Sequence, residues 1–172
     1  MDGSITRDEL RATQAPIKQR YRDDPATALI TLEADGDLDE GITCSVKTGQ
    51  ALVRAGLHPG TGGDPANACS GDMLLQALVA CAGVTMRSVA TSMGLSVSGS
   101  IHAEGDLDWR GTLSIDRDTP VGFSAIRLRF DLESDASDEE LATLERLTER
   151  YCVVFQTLAS SPELSVALER GA

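Results

Sequence analysis

Apolar and polar positions alternate strictly near the middle of the second half of the chain. Ile126, Leu128, Phe130 and Leu132 face Arg127, Arg129 and Asp131, the two-residue repeat of a strand with one wet face. The period then changes. Leu141, Leu144, Leu147 and Tyr151 recur at three- and four-residue steps, which predicts an amphipathic helix opened by the capping box Ser137-Asp138-Glu139-Glu140. Residues 152–159 continue as helix or form a short separate one, and Pro162 breaks the chain before a last strand over 164–168. Upstream, residues 73–82 are apolar on nearly every side. The spacing predicts a helix over 71–93, capped by Ser70 and stopped by Gly94. Such a helix must be covered all round, and in a small domain a second subunit is the natural cover.

The remaining segments are shorter. Thr6-Arg7-Asp8-Glu9 has the form of a capping box, predicting an N-terminal helix disturbed near Pro16 and ending around Asp23-Asp24-Pro25. Strands at 28–32, 42–46 and 51–53, separated by turns at Asp35-Gly36-Asp37 and Thr48-Gly49, read as a three-stranded antiparallel meander. Residues 95–108 alternate loosely as another strand. Strands and helices do not alternate one for one, so the expected class is α+β with antiparallel sheets.

Composition narrows the function. The chain has 172 residues and 41% hydrophobic positions, enough for one ordinary domain with its own core. Aromatic residues make up 3% and the net charge is −12, which argues against a base-stacking platform and against phosphate binding; no nucleic-acid partner is expected. The glycine-rich stretch His58-Pro59-Gly60-Thr61-Gly62-Gly63-Asp64-Pro65 lacks the Lys-Ser/Thr ending of a phosphate loop and reads as plain loop. No stretch reads as a membrane span or a secretory signal, so a cytoplasmic protein without a membrane partner is expected.

Four cysteines, Cys44, Cys69, Cys81 and Cys152, do not make a disulfide scaffold in a chain of this length. In a reducing compartment they are structural or redox-active thiols. None sits at C-x-x-C spacing, and only His58 and His102 accompany them, so neither a metal nor a cofactor is expected. A lone buried cysteine is more often a small core residue than a nucleophile. That reading is favoured for Cys44 in its strand, while Cys69 stands at a loop–helix boundary.

Two segments change the balance for the other two. Gly71-Asp72-Met73-Leu74-Leu75-Gln76-Ala77-Leu78-Val79-Ala80-Cys81-Ala82, continued by Val84-Thr85-Met86-Arg87, resembles the buried central helix of the OsmC/Ohr family. Glu149-Arg150-Tyr151-Cys152-Val153-Val154-Phe155-Gln156-Thr157-Leu158 resembles that family's second cysteine segment. The resemblance runs from about Thr27 to the C-terminus, dividing the chain into an N-terminal helical extension, 1–26, and an OsmC-like domain, 27–172.

The resemblance implies an intertwined homodimer whose antiparallel sheets wrap the central helices. It also implies reduction of organic hydroperoxides at the expense of a dithiol reductant. By position Cys81 would be the peroxidatic residue and Cys152 the resolving one, with Asp72 supporting. In the family's peroxidases an arginine near the first hairpin holds the thiolate. Here Ala34-Asp35-Gly36-Asp37-Leu38-Asp39 has none, leaving Arg20, Arg22, Lys47, Arg54 and Arg87 as sources of positive charge. The alternative is a non-catalytic OsmC-like protein that binds a small hydrophobic ligand in the cleft between subunits.

Overall fold

The computed structural model describes residues 7–38, 44–46, 55–168 and 170. Helix α1, Arg7–Asp23, runs through Pro16 and ends before Pro25, where Asp24 caps a 3-10 turn over Pro25–Ala28 by accepting the Ala26 N–H. Strands β1, Leu29–Leu38, and β2, Cys44–Val46, pair antiparallel. A second 3-10 turn, Pro59–Thr61, and two short strands, β3, Ala55–Gly56, and β4, Ala68–Cys69, lead into α2, Ser70–Met93. Then come β5, Ser98–Asp108, the single turn α3, Trp109–Thr112, β6, Ala125–Glu133, α4, Asp138–Tyr151, and α5, Val153–Ala159.

The main sheet has the order β2-β1-β5-β6 and is antiparallel throughout; β3 and β4 form a separate parallel pair. This is the expected α+β class. Alternation in β5 buries Ile101, Ala103 and Leu107 and turns Glu104 and Asp106 outward, where Arg127 of β6 bridges both. That guanidinium holds the Asp106 carboxyl down at about 2, helped by the Thr31 hydroxyl. On the buried side lies α2, whose Leu75, Leu78, Val79 and Ala82 form the centre of the core. α4 and α5 pack against the same helix. Tyr21 of α1 is buried in this core too, its hydroxyl donating to the Gly60 carbonyl at 2.6 Å.

Several expectations hold in detail. Gly94 stops α2 in the left-handed conformation, φ 72°, which glycine adopts without penalty. Ser137 and Glu140 form the capping box reciprocally. β6 follows its predicted alternation.

Others need correction. Asp35-Gly36-Asp37 is no turn: it continues β1, opposite His102, Ile101 and Ser100, because a long ladder with β5 overrides a local turn preference. The α2 cap position is Cys69 and makes no side-chain cap bond. Residues 164–168 are irregular, with Leu164, Val166 and Leu168 almost fully exposed; among the described residues no strand lies beside them for this pattern to bond. α2 has 24 residues and is apolar enough to cross a membrane by length and composition, contrary to expectation, yet here it is the core helix of a packed sheet. The predicted capping box at Thr6, the Thr48-Gly49 turn and the strand at 51–53 lie outside the described residues or partly so.

Candidate functional site

Cys81 sits midway along α2, half-buried, one turn beyond Leu78 and beside Ala82. Cys152 stands where α4 ends and α5 begins. Its backbone leaves helical angles there, φ −72° and ψ 107°. It therefore serves both helices: its N–H donates to the Thr148 carbonyl at 2.9 Å, and its Sγ accepts the Phe155 N–H at 3.5 Å as the cap of α5. Polar side chains usually fill such a cap; here a thiol does.

The fold brings these two cysteines together. Cys152 belongs to the main core cluster and Cys81 packs against it, close enough for the Cys81 thiol to bear on the titration of Cys152. Cys152 is 1% exposed, and burial pushes its thiol up to about 11; the Phe155 amide opposes this, while the hydrogen bond and charge of Cys81 add to it. A thiol so placed is protonated at neutral pH.

Asp72 is not brought to the pair. It lies in the first turn of α2, where burial raises its carboxyl pKa and the charge of His58 lowers it. His58 itself accepts the Gly60 N–H through Nδ1 and stacks on Trp109, ring centroids 5.0 Å apart. Cys69 is buried at the start of α2, a helix that carries Cys81 three turns further on. Of the candidate cations, Arg20 lies over the Tyr21 ring and Arg87 donates to the Val97 carbonyl at 2.6 Å. Lys47 and Arg54 lie outside the described residues, and so does the side chain of Cys44.

Two cavities lie on this side of the core, and Cys152 is part of the wall of one. One of about 290 Å³ is walled by Leu78, Phe123, Ile126, Leu128, Phe155 and Leu158. The other, about 200 Å³, is formed by Ala82, Leu128, Phe130, Phe155 and Cys152 with Glu145, Thr148 and Glu149 of α4. They share Leu128 and Phe155. Apolar walls of this kind suit a small organic molecule.

Thr148 was not visible as a site residue in the sequence. The helical stripe predicts Tyr151 on the buried face, whereas Tyr151 is 58% exposed and Thr148 is 2% exposed beside Leu144. Extending the four-residue step from Leu144 reaches Thr148 and then Cys152; that step is the signal that could have found it.

Comparison with known proteins bears on the family and the fold. The family model described as OsmC-like protein matches residues 62–167. Among curated proteins, none matches the chain. The crystal structure of an OsmC-like hydroperoxide resistance protein from Jannaschia sp. CCS1 superimposes with a TM-score of 0.61 at 14% identity, covering 84% of this chain and 95% of that one. At that identity the likeness is one of fold.

Proposed function

The chain belongs to the OsmC-like protein family, and from that premise we propose that it reduces organic hydroperoxides with Cys81 as the attacking thiol and Cys152 as the resolving one. The observation that carries this reading is the meeting of two thiols from distant segments, one half-exposed and the other buried and held protonated.

The chemistry follows from that difference. The Cys81 thiolate attacks one oxygen of the hydroperoxide; the O–O bond breaks, the alkoxide takes up a proton to leave as the alcohol, and Cys81 becomes a sulfenic acid. The Cys152 sulfur then attacks the Cys81 sulfur. Hydroxide is displaced and departs as water with the Cys152 proton, leaving a disulfide. Two thiols have lost two electrons and the peroxide has gained them. A raised Cys152 pKa suits this order, because the resolving thiol keeps its proton until there is a leaving hydroxide to receive it. The Phe155 amide, already directed at the Cys152 sulfur, stabilises negative charge there as it develops. A dithiol reductant returns the pair to its starting state.

The proposal includes a homodimer. α2 leaves Met73, Leu74 and Val84 exposed, and the tail leaves Leu164, Val166 and Leu168 exposed in strand-like alternation. A second copy of the chain covers apolar surface of this kind.

The purified protein is expected to consume an organic hydroperoxide in the presence of a dithiol. Cys81→Ser abolishes turnover, because a hydroxyl is a far weaker nucleophile at neutral pH. Cys152→Ser blocks the disulfide but leaves a sulfenic acid that a trapping reagent labels. Equal turnover by wild type and Cys81→Ser refutes the proposal and leaves the ligand-binding alternative, which the two largely apolar cavities favour.

A further inference from the structure

Helix α1 lies outside the matched residues 62–167, yet it is fastened to the rest of the chain at one turn. Tyr21 is fully buried, and Ile17 packs against the same core. The Tyr21 hydroxyl donates to the Gly60 carbonyl at 2.6 Å, and Gln14 Nε2 donates to the Thr61 carbonyl at 3.4 Å. Gly62, left-handed at φ 88°, lies against the side chains of Thr13 and Ile17.

Gly60 is held from three sides. Tyr21 binds its carbonyl, and its N–H donates to His58 Nδ1 at 2.9 Å. Its Cα faces Trp109, so that a methyl group placed there would come within 2.7 Å of the indole nitrogen. A ring nitrogen that accepts an N–H carries no proton, so the His58 contact exists only with the neutral imidazole. The buried Trp109 N–H has no hydrogen-bond partner among the described residues. That is a destabilising feature, and it leaves the turn a small margin.

The charges around the ring come from each element packed here. Asp72, in the first turn of α2, is the carboxylate whose charge acts on His58. α1 contributes Arg20, which lies over the Tyr21 ring, and α3 contributes Arg110, which is bound by Asp108. Asp64, just past the turn, accepts the Ala66 N–H. A proton on His58 is thus opposed by the Gly60 N–H and favoured by Asp72.

We propose that this turn is an acid-sensitive latch for α1, with His58 as the proton sensor and Tyr21 as the bolt. While His58 is neutral it caps the turn, the Gly60 carbonyl stays aimed at Tyr21, and α1 is docked. Protonation makes Nδ1 a donor, which cannot keep the Gly60 N–H; the imidazolium pairs with Asp72 instead. The turn loosens and Tyr21 loses its fixed acceptor. The contact is therefore present at neutral pH and lost as the pH falls through the titration of His58. The thiol pair takes no part in it.

The chain has one tryptophan, stacked on His58, so its emission reports the ring. Titration of the full-length protein between about pH 8 and about pH 5, where histidine changes charge, should quench Trp109 along a one-proton curve. His58→Asn puts an amide oxygen where Nδ1 was, an acceptor that takes no proton, and its emission should stay flat. His102→Asn should titrate like wild type. Hydrogen exchange read by mass spectrometry then follows α1 itself. Protection over Arg7–Asp23, corrected for intrinsic exchange, should fall about fivefold from the neutral to the acid end, the worth of one hydrogen bond. It should stay constant in His58→Asn. Tyr21→Phe keeps the ring and loses the bond, so it should show the lower protection already at neutral pH and no further fall in acid. Wild-type emission that does not change, or that changes equally in His58→Asn, overturns the latch. So does quenching with α1 protection unchanged, or a Tyr21→Phe variant whose protection falls in acid as far as wild type's.

Discussion

Alkylation kinetics separate the two sulfurs of the pair without any substrate. Burial moves the Cys152 thiol from its ordinary 9.0 to about 11. At pH 8 the thiolate fraction of such a group is about a thousandth, against about a tenth for a thiol titrating at 9, since each pH unit below the pKa is a factor of about ten. Ionisation alone therefore slows alkylation of Cys152 about a hundredfold, before any steric hindrance. Hindrance is independent of pH, so the profile isolates the ionisation. The labelling rate of Cys152 in folded protein should climb about tenfold per unit from pH 7 and level off only near 11.

The same shift is a statement about stability. The folded state holds the Cys152 proton more tightly than the unfolded chain, so this contribution is fully present below pH 9 and is lost as the pH rises from about 9 to 11. Two units correspond to on the order of 3 kcal/mol. Denaturant titrations from pH 8 to 11 should show wild type losing stability more steeply than Cys152→Ala. Site-resolved labelling by mass spectrometry supplies the rates. A Cys152 profile that levels off by pH 9, or Cys152 labelled at pH 7.5 as fast as Cys81, refutes the reasoning and with it the assignment of Cys152 as the protonated, resolving thiol.

Two further outcomes concern the fold and its assembly. Sedimentation at micromolar concentration should give twice the chain mass, with more than about 2,000 Å² buried between subunits as obligate interfaces require; a stable, well-folded monomer ends the dimer proposal. Ser137→Ala removes the hydroxyl that accepts the Glu140 N–H and donates to the Glu140 carboxylate, leaving the residue 137 N–H on that carboxylate. It should cost about 1 kcal/mol, seen as a fall in Tm of about 2–4 °C in calorimetry.

Where local chemistry and tertiary packing agree, the sequence is readable. Ser137 with Glu140, Gly94, and the alternation of β6 each carry a short-range rule that the folded chain obeys. Reading fails where long-range pairing decides. Asp35-Gly36-Asp37 has every mark of a turn, yet nine consecutive β1 residues pair with β5, and that ladder outweighs a local preference. Leu164, Val166 and Leu168 alternate like a strand and find no strand beside them among the described residues. In the homodimer proposed above, a second copy of the chain would cover them and the exposed residues of α2.

The candidate site divides along the same line. Cys81 and Cys152 were identifiable from their surrounding segments, but nothing local announces that Cys152 caps a helix or that Thr148 shares its cavity. Both follow from the break between α4 and α5. Cys81 is fixed in the middle of a long helix, so any movement that the proposed disulfide needs to bring the Cα atoms within about 7 Å falls to its partner. Cys152 stands at a junction with extended backbone angles, between a helix of 14 residues and one of 7. Torsions there can change without breaking the interior of either helix. A cysteine one residue earlier, at the Tyr151 position, would point outward into solvent. At the Val153 position it would begin the next helix and is likewise exposed. The four-residue step from Leu144 through Thr148 thus ends on the residue that is both buried against Cys81 and able to yield, and it carries the Thr148 hydroxyl to the same wall.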